Sequence, residues 1–120
     1  MDWKFTGSKP VYQQIMEHFR TAVLAGEYPP GGRVPSVREL ASEARVNPNT
    51  VQRALTELER EGLLTGGGTT GRCVTENAET LETLRQQAIG RVVHAYALRM
   101  RELGISPRQA SQLLEQEMEE

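Results

Sequence analysis

One cysteine in 120 residues, Cys73, excludes an internal disulfide, and a reducing cytoplasm is the expected compartment. Aromatic residues make up only 5% of the chain, so its core is thin and it stands to gain from a partner surface. Neither sign of charge dominates. Fourteen Lys+Arg against sixteen Asp+Glu leave a net charge of −2, which excludes a uniformly cationic nucleic-acid coat but not a local basic face. No apolar run approaches the roughly 20 residues of a membrane span, and the first thirty residues lack a signal-peptide pattern. No membrane partner is expected.

Catalytic chemistry is missing as well. His18 and His94 stand without Cys, Asp or Glu at zinc-ligand spacing. Cys73 has no sequence-adjacent base, and the Gly66-Gly67-Gly68-Thr69-Thr70-Gly71 stretch lacks the Lys-Ser/Thr of a phosphate-binding loop. The expectation is a protein that is not an enzyme and holds no metal or cofactor.

What is present is a soluble globular composition, 38% apolar and 25% charged, long enough for one small domain and an appendage. The division is expected near residue 76. Nine of the eleven glycines and five of the six prolines precede it, and a Leu/Ala/Gln/Glu/Arg-rich stretch follows. Residues 1–76 therefore read as a compact domain and 77–120 as a helical tail.

Within the first part, Val11, Ile15, Phe19 and Val23 recur every four residues, which predicts a helix over about 10–25 with Pro10 in its first turn. Ser36-Val37-Arg38-Glu39 fits a capping box with reciprocal backbone bonds, opening a second helix to about residue 45. Asn47 is a good N-cap with Pro48 at the first helical position, and Val51, Leu55 and Leu58 carry a third helix to Gly62. Glu57, Glu59, Arg60 and Glu61 are expected to face solvent. Two short strands, near 63–65 and 72–75, are expected to flank the glycine-rich loop.

The fold class is thus mainly α: an N-terminal winged helix-turn-helix of three helices plus a β-hairpin wing, followed by a two-helix tail. In the tail, Leu81, Leu84, Ala88, Val92 and Tyr96 mark one stripe, broadened by Ile89, Val93, Ala97, Met100 and Leu103, on a helix roughly 39 Å long. Ser106-Pro107-Arg108-Gln109 caps a short last helix carrying Leu113 and Leu114. The apolar face is wider than this chain can cover, so a homodimer through the tail is expected, with Leu81, Leu84, Ala88, Val92, Tyr96, Met100, Leu113 and Leu114 at its interface.

The tight joint between the second and third helices is the helix-turn-helix pattern, whose second helix enters a DNA major groove by its N-terminal end. That end carries Asn47, Asn49, Thr50, Gln52 and Arg53. Asn and Gln pair bidentately with adenine, Arg with guanine, and Thr touches a base or a phosphate. Arg38 stands where it reaches a phosphate or pairs with a nearby Glu. A winged helix serving protein–protein assembly is the alternative, but such a module favours apolar or acidic residues at this position.

The segments Val34-Pro35-Ser36-Val37-Arg38-Glu39-Leu40-Ala41, Val46-Asn47-Pro48-Asn49-Thr50-Val51-Gln52-Arg53-Ala54-Leu55 and Leu58-Glu59-Arg60-Glu61-Gly62-Leu63-Leu64 resemble the winged helix-turn-helix of GntR-family bacterial regulators. Pro10-Val11-Tyr12-Gln13-Gln14-Ile15 and Gly26-Glu27-Tyr28-Pro29-Pro30-Gly31 extend the resemblance to residues 8–75. The Asn-Pro-Asn-Thr-Val segment and the short tail resemble the YtrA-like subfamily, which has no large ligand-binding domain and dimerises through its tail.

The resemblance implies a dimeric repressor on an inverted-repeat operator, with a role at transporter operons, and DNA contacts from Arg38, Asn47, Asn49, Thr50, Gln52 and Arg53. In the wing, Gly67 and Gly68 stand where the family often has Arg, and Arg72-Cys73-Val74 replaces Thr-Phe-Val, leaving Thr69, Thr70 and Arg72 as candidate contacts. A small-molecule effector that alters inter-domain geometry is motivated by the two-part architecture alone.

Overall fold

The computed structural model describes residues 3–66 and 71–119. Its elements run α1 (Val11–Leu24), α2 (Val37–Ala44), α3 (Pro48–Glu61), β1 (Leu64–Thr65), β2 (Cys73–Val74), α4 (Ala78–Glu102) and α5 (Pro107–Met118). By internal contacts the chain divides into two units, residues 1–83 and 84–120, and the division falls within α4.

In the first unit the core forms where three apolar stripes meet. Ile15 and Phe19 of α1, Leu40 of α2, and Val51, Leu55 and Leu58 of α3 are almost fully buried, with Leu63, Leu64 and Val74 closing the base. Gln14 is also buried, and its amide accounts for its burial. Its Oε1 accepts from the Thr6 N–H at 2.9 Å, and its Nε2 donates to the carbonyls of Thr6 at 2.8 Å and Lys9 at 2.7 Å. These bonds tie the segment before α1 to the helix, where the Trp3 ring lies 4.9 Å from that of His18.

The helix ends follow their caps, with one difference in detail. The Ser36 hydroxyl accepts from the Glu39 N–H at 3.1 Å and donates to the Glu39 carboxylate at 3.2 Å. The carboxylate therefore engages the hydroxyl and not the Ser36 backbone N–H, so the reciprocal box is replaced by a side-chain pair. Asn47 Oδ1 accepts from the Asn49 N–H at 2.8 Å.

Between α2 and α3, Arg45 takes the left-handed conformation, φ 56°, which lets the Val46 N–H reach the Ala41 carbonyl at 3.1 Å. Glycine fills the same role after α3, where Gly62 has φ 89°. A side chain costs about 1–2 kcal/mol in this conformation, offset by the greater freedom glycine has in the unfolded chain. Arg45→Gly should therefore stabilise the domain by up to about 1 kcal/mol in chemical denaturation. A loss of stability would show that the Arg45 side chain contributes more than its backbone costs.

The strands are shorter than the expected 63–65 and 72–75. They pair antiparallel, Leu64 opposite Val74 and Thr65 opposite Cys73. The hairpin has a third member that the sequence did not declare. The Val34 N–H donates to the Arg72 carbonyl at 3.0 Å, the Val74 N–H to the Gly32 carbonyl at 2.9 Å, and Arg33 bridges Cys73. Residues 31–34 thus cover the free edge of β2 and fix the wing to the start of the helix-turn-helix.

Tyr28 stacks on Phe19, with centroids 5.7 Å apart. Burial, then the charges of Glu43 and Glu27, raise its pKa above the ordinary 10.0. The folded state thus holds the phenolic proton more tightly than the unfolded chain. Its contribution is complete below the ordinary tyrosine pKa and is lost as pH rises through the raised value. Tyr28→Phe should flatten that alkaline loss in pH-dependent unfolding, and an unchanged profile would assign the loss to another group.

The second unit holds the rest of α4 together with α5. Ser106 caps α5 through the Gln109 N–H at 3.1 Å. The Tyr96 hydroxyl donates to the carbonyl of Ala110, the buried residue of α5. Around this tie the apolar surface stays open: Val92 is 70% and Met118 77% exposed, and Ile89, Val93, Leu98, Leu103, Leu113 and Leu114 are exposed with them. Of the residues expected at a dimer interface, Val92, Leu113 and Leu114 are open, while Leu81, Leu84, Ala88, Tyr96 and Met100 are half-buried.

Candidate nucleic-acid interface

The buried side of α3, formed by Val51, Ala54, Leu55 and Leu58, fixes which side chains turn outward. Asn49, Gln52 and Arg53 are exposed, as is Asn47 at the cap, while Thr50 is half-buried. Asn47 spends its carbonyl oxygen on the cap and keeps its amide N–H groups for a ligand. Gln52 Nε2 donates to Thr56 Oγ1 at 3.3 Å, a surface bond that water or a base can replace. Arg53 places its guanidinium over the Tyr12 ring, 3.8 Å from the centroid.

Arg38, on the first turn of α2, is exposed and has no ion pair among the described residues. It borders an open depression of about 550 Å³ with Val37, Ala41, Ser42, Val46 and Pro48, where α2 and the leading end of α3 converge. Arg38, the α3 tip and the depression therefore form one continuous surface.

The far end of α3 differs from expectation. Glu57, Glu59 and Glu61 are half-buried and paired, because Arg60 of α3 itself, Arg72 just before β2 and Arg20 of α1 reach them. Glu61 Oε2 accepts from Arg20 Nε at 3.0 Å, Glu57 pairs with Arg60 at 3.0 Å, and Glu59 takes the Arg72 guanidinium. Acidic charge on α3 is thus compensated locally, whereas Arg38, Arg45 and Arg53 have no ion pair among the described residues. Those three guanidiniums share the α2–α3 part of the surface with the exposed Glu39 and Glu43 of α2, a mixed field in which the arginines are the groups able to meet an anion.

In the wing, Arg72 is held on Glu59 with its side chain only 19% exposed. Arg33 lies beside Gly71, such that a Cβ added there would sit 3.3 Å from Nη2. Thr69 and Thr70 fall outside the described residues. Sequence reasoning gave no role to Tyr12 or Arg33. Tyr12 lies off the apolar stripe of α1, and this is the one local sign that its ring serves another purpose.

Residues 11–71 match the family described as bacterial regulatory proteins, gntR family. The uncharacterized HTH-type transcriptional regulator YhcF of Bacillus subtilis is 37% identical over 106 residues, covering 88% of each chain. The HTH-type transcriptional repressor YtrA of the same organism is 45% identical over 73 residues, covering 61% of this chain and 56% of its own. A solved GntR family transcriptional regulator from Listeria monocytogenes superposes with a TM-score of 0.87 at 33% identity, over 93% of this chain and 98% of that one.

Proposed function

The chain belongs to the GntR family of bacterial regulatory proteins, and from that premise we propose that it is a homodimeric repressor reading an inverted-repeat operator. The observation that carries the reading is the leading end of α3. Five polar side chains stand there over a fully buried apolar face, on a helix whose first turn is capped from within. Asn49 and Gln52 supply bidentate base readers, and Asn47 and Thr50 flank them. Arg38 supplies a phosphate contact. Thr69 and Thr70 are the wing's contact candidates, while Arg72 braces the wing against Glu59.

Residues 1–76 form the DNA-binding domain in this reading and 77–120 the dimerisation tail. The open apolar surface of α4 and α5 supports the dimer, since Val92, Val93 and Met118 among others leave large apolar side chains in water. Two-fold symmetry then presents two α3 helices to half-sites about one helical turn apart. An assembly module is disfavoured by the same α3 end, which lacks the apolar or acidic side chains that a protein partner would engage.

A name of repressor on a relative 45% identical over the DNA-binding part supports repression, by occluding a promoter. A transporter operon is the expected target, the compartment is the cytoplasm, and a small-molecule effector would act by biasing the spacing of the two readers.

Light scattering at micromolar concentration is expected to give twice the 13.4 kDa chain mass, and Val92→Glu to give the monomer with weakened DNA binding. A wild-type monomer at that concentration would refute the dimer.

A further inference from the structure

We propose that Tyr12 is a positioning residue for Arg53, and that the pair forms a pre-oriented fork for a backbone phosphate of the bound duplex. The proposal rests on the DNA-binding reading of α3. Tyr12 is the second residue of α1, so the ring over which the Arg53 guanidinium lies at 3.8 Å comes from a neighbouring helix and not from α3 itself. Packing between α1 and α3, which buries Phe19 and Leu55, sets where that ring stands.

Stacking divides the guanidinium into two working surfaces. Its face lies on the ring, while its five N–H donors radiate in the plane and remain free for an anion. Among the described residues no carboxylate pairs with them. A guanidinium held this way keeps its charge and its fork. It also forfeits rotamer freedom before binding rather than during it.

The position selects phosphate over base. Asn49 lies one turn nearer the tip of α3, whereas Arg53 is drawn sideways toward the start of α1. With the tip in the groove, a side chain held at the flank faces the groove wall, where the phosphates run, and not the base edges at the floor. The Tyr12 hydroxyl accepts from Gln13 Nε2 at 3.2 Å and is not required for the stack.

The test is binding to a duplex selected from a random library and to a scrambled duplex of the same composition, across a salt series. Arg53→Ala is expected to weaken both duplexes by the same factor and to lower the salt slope by about one. Tyr12→Leu is expected to weaken both by roughly two- to five-fold, and Tyr12→Phe to match the wild type. Adding Tyr12→Leu to Arg53→Ala should cost nothing further.

Independent losses in the double variant, or an Arg53→Ala loss confined to one base position, would overturn the proposal. The Arg53 side-chain N–H resonances of the free wild type provide a check without DNA or variants, since the absence of a ring-current shift would also overturn it. A wild type that binds neither duplex refutes the DNA-binding reading itself, whereas binding with independent losses removes only the role of Tyr12.

Discussion

Alanine at both Asn49 and Gln52 is expected to remove discrimination between the selected and scrambled duplexes while leaving the fold intact. Both side chains are exposed on α3. The cap uses the backbone N–H of Asn49, which alanine retains, and Gln52 bonds only to Thr56 on the surface. Each bidentate base contact discriminates by about 1–3 kcal/mol, so together they account for about 2–6 kcal/mol, or roughly thirty-fold at the least. Competition binding checks this, with thermal unfolding of the variant as the control. An equal loss on both duplexes would make these residues phosphate contacts, leaving the reading of sequence to other groups.

Phe19→Ala is expected to bring the largest loss of stability, about 3–5 kcal/mol. Phe19 is fully buried, and its ring is flanked by Tyr28 at 5.7 Å and Trp3 at 6.4 Å. Truncation leaves a cavity at the centre of the unit and removes the ring against which both neighbours pack, in a chain with few aromatics to refill the space. Domains are stable by only about 5–15 kcal/mol, so the loss should appear as a marked fall in the denaturant midpoint. Val92→Ala, at a side chain open to water within the chain, makes the contrast. It should leave the stability of an isolated subunit nearly unchanged, so that any loss at dimeric concentrations reports the interface.

The helices were legible because their ends are local chemistry. Ser36, Asn47 and Ser106 each bond a backbone N–H two or three residues on, and Gly62 reverses the chain after α3. Such signals need no knowledge of the rest of the molecule. The membership of α3's outward face was legible for the same reason, since Val51, Leu55 and Leu58 fix the opposite side. Residues 31–34 as a third wing member were not legible, because Gly31-Gly32 reads locally as a turn and only β2 reveals an edge to be covered.

The ion pairs were equally hidden. Glu61 finds Arg20 and Glu59 finds Arg72 across long stretches of chain, and solvent exposure is the natural local reading of three glutamates near a helix end. Tyr12 over Arg53 depends on the rotation of α1 about α3, which no periodicity within either helix specifies. The outward side chains at the leading end of α3 were therefore legible, but the contacts that position them were not.

In the proposed function two copies of this chain read DNA sequence together. Selection of bound duplexes from a randomised library tests it most directly. An inverted repeat is expected to be enriched, with half-site centres about one helical turn apart, and to be lost or altered in the Asn49→Ala/Gln52→Ala variant. No enrichment, either with the protein alone or in cell extract that would supply an effector, would contradict it.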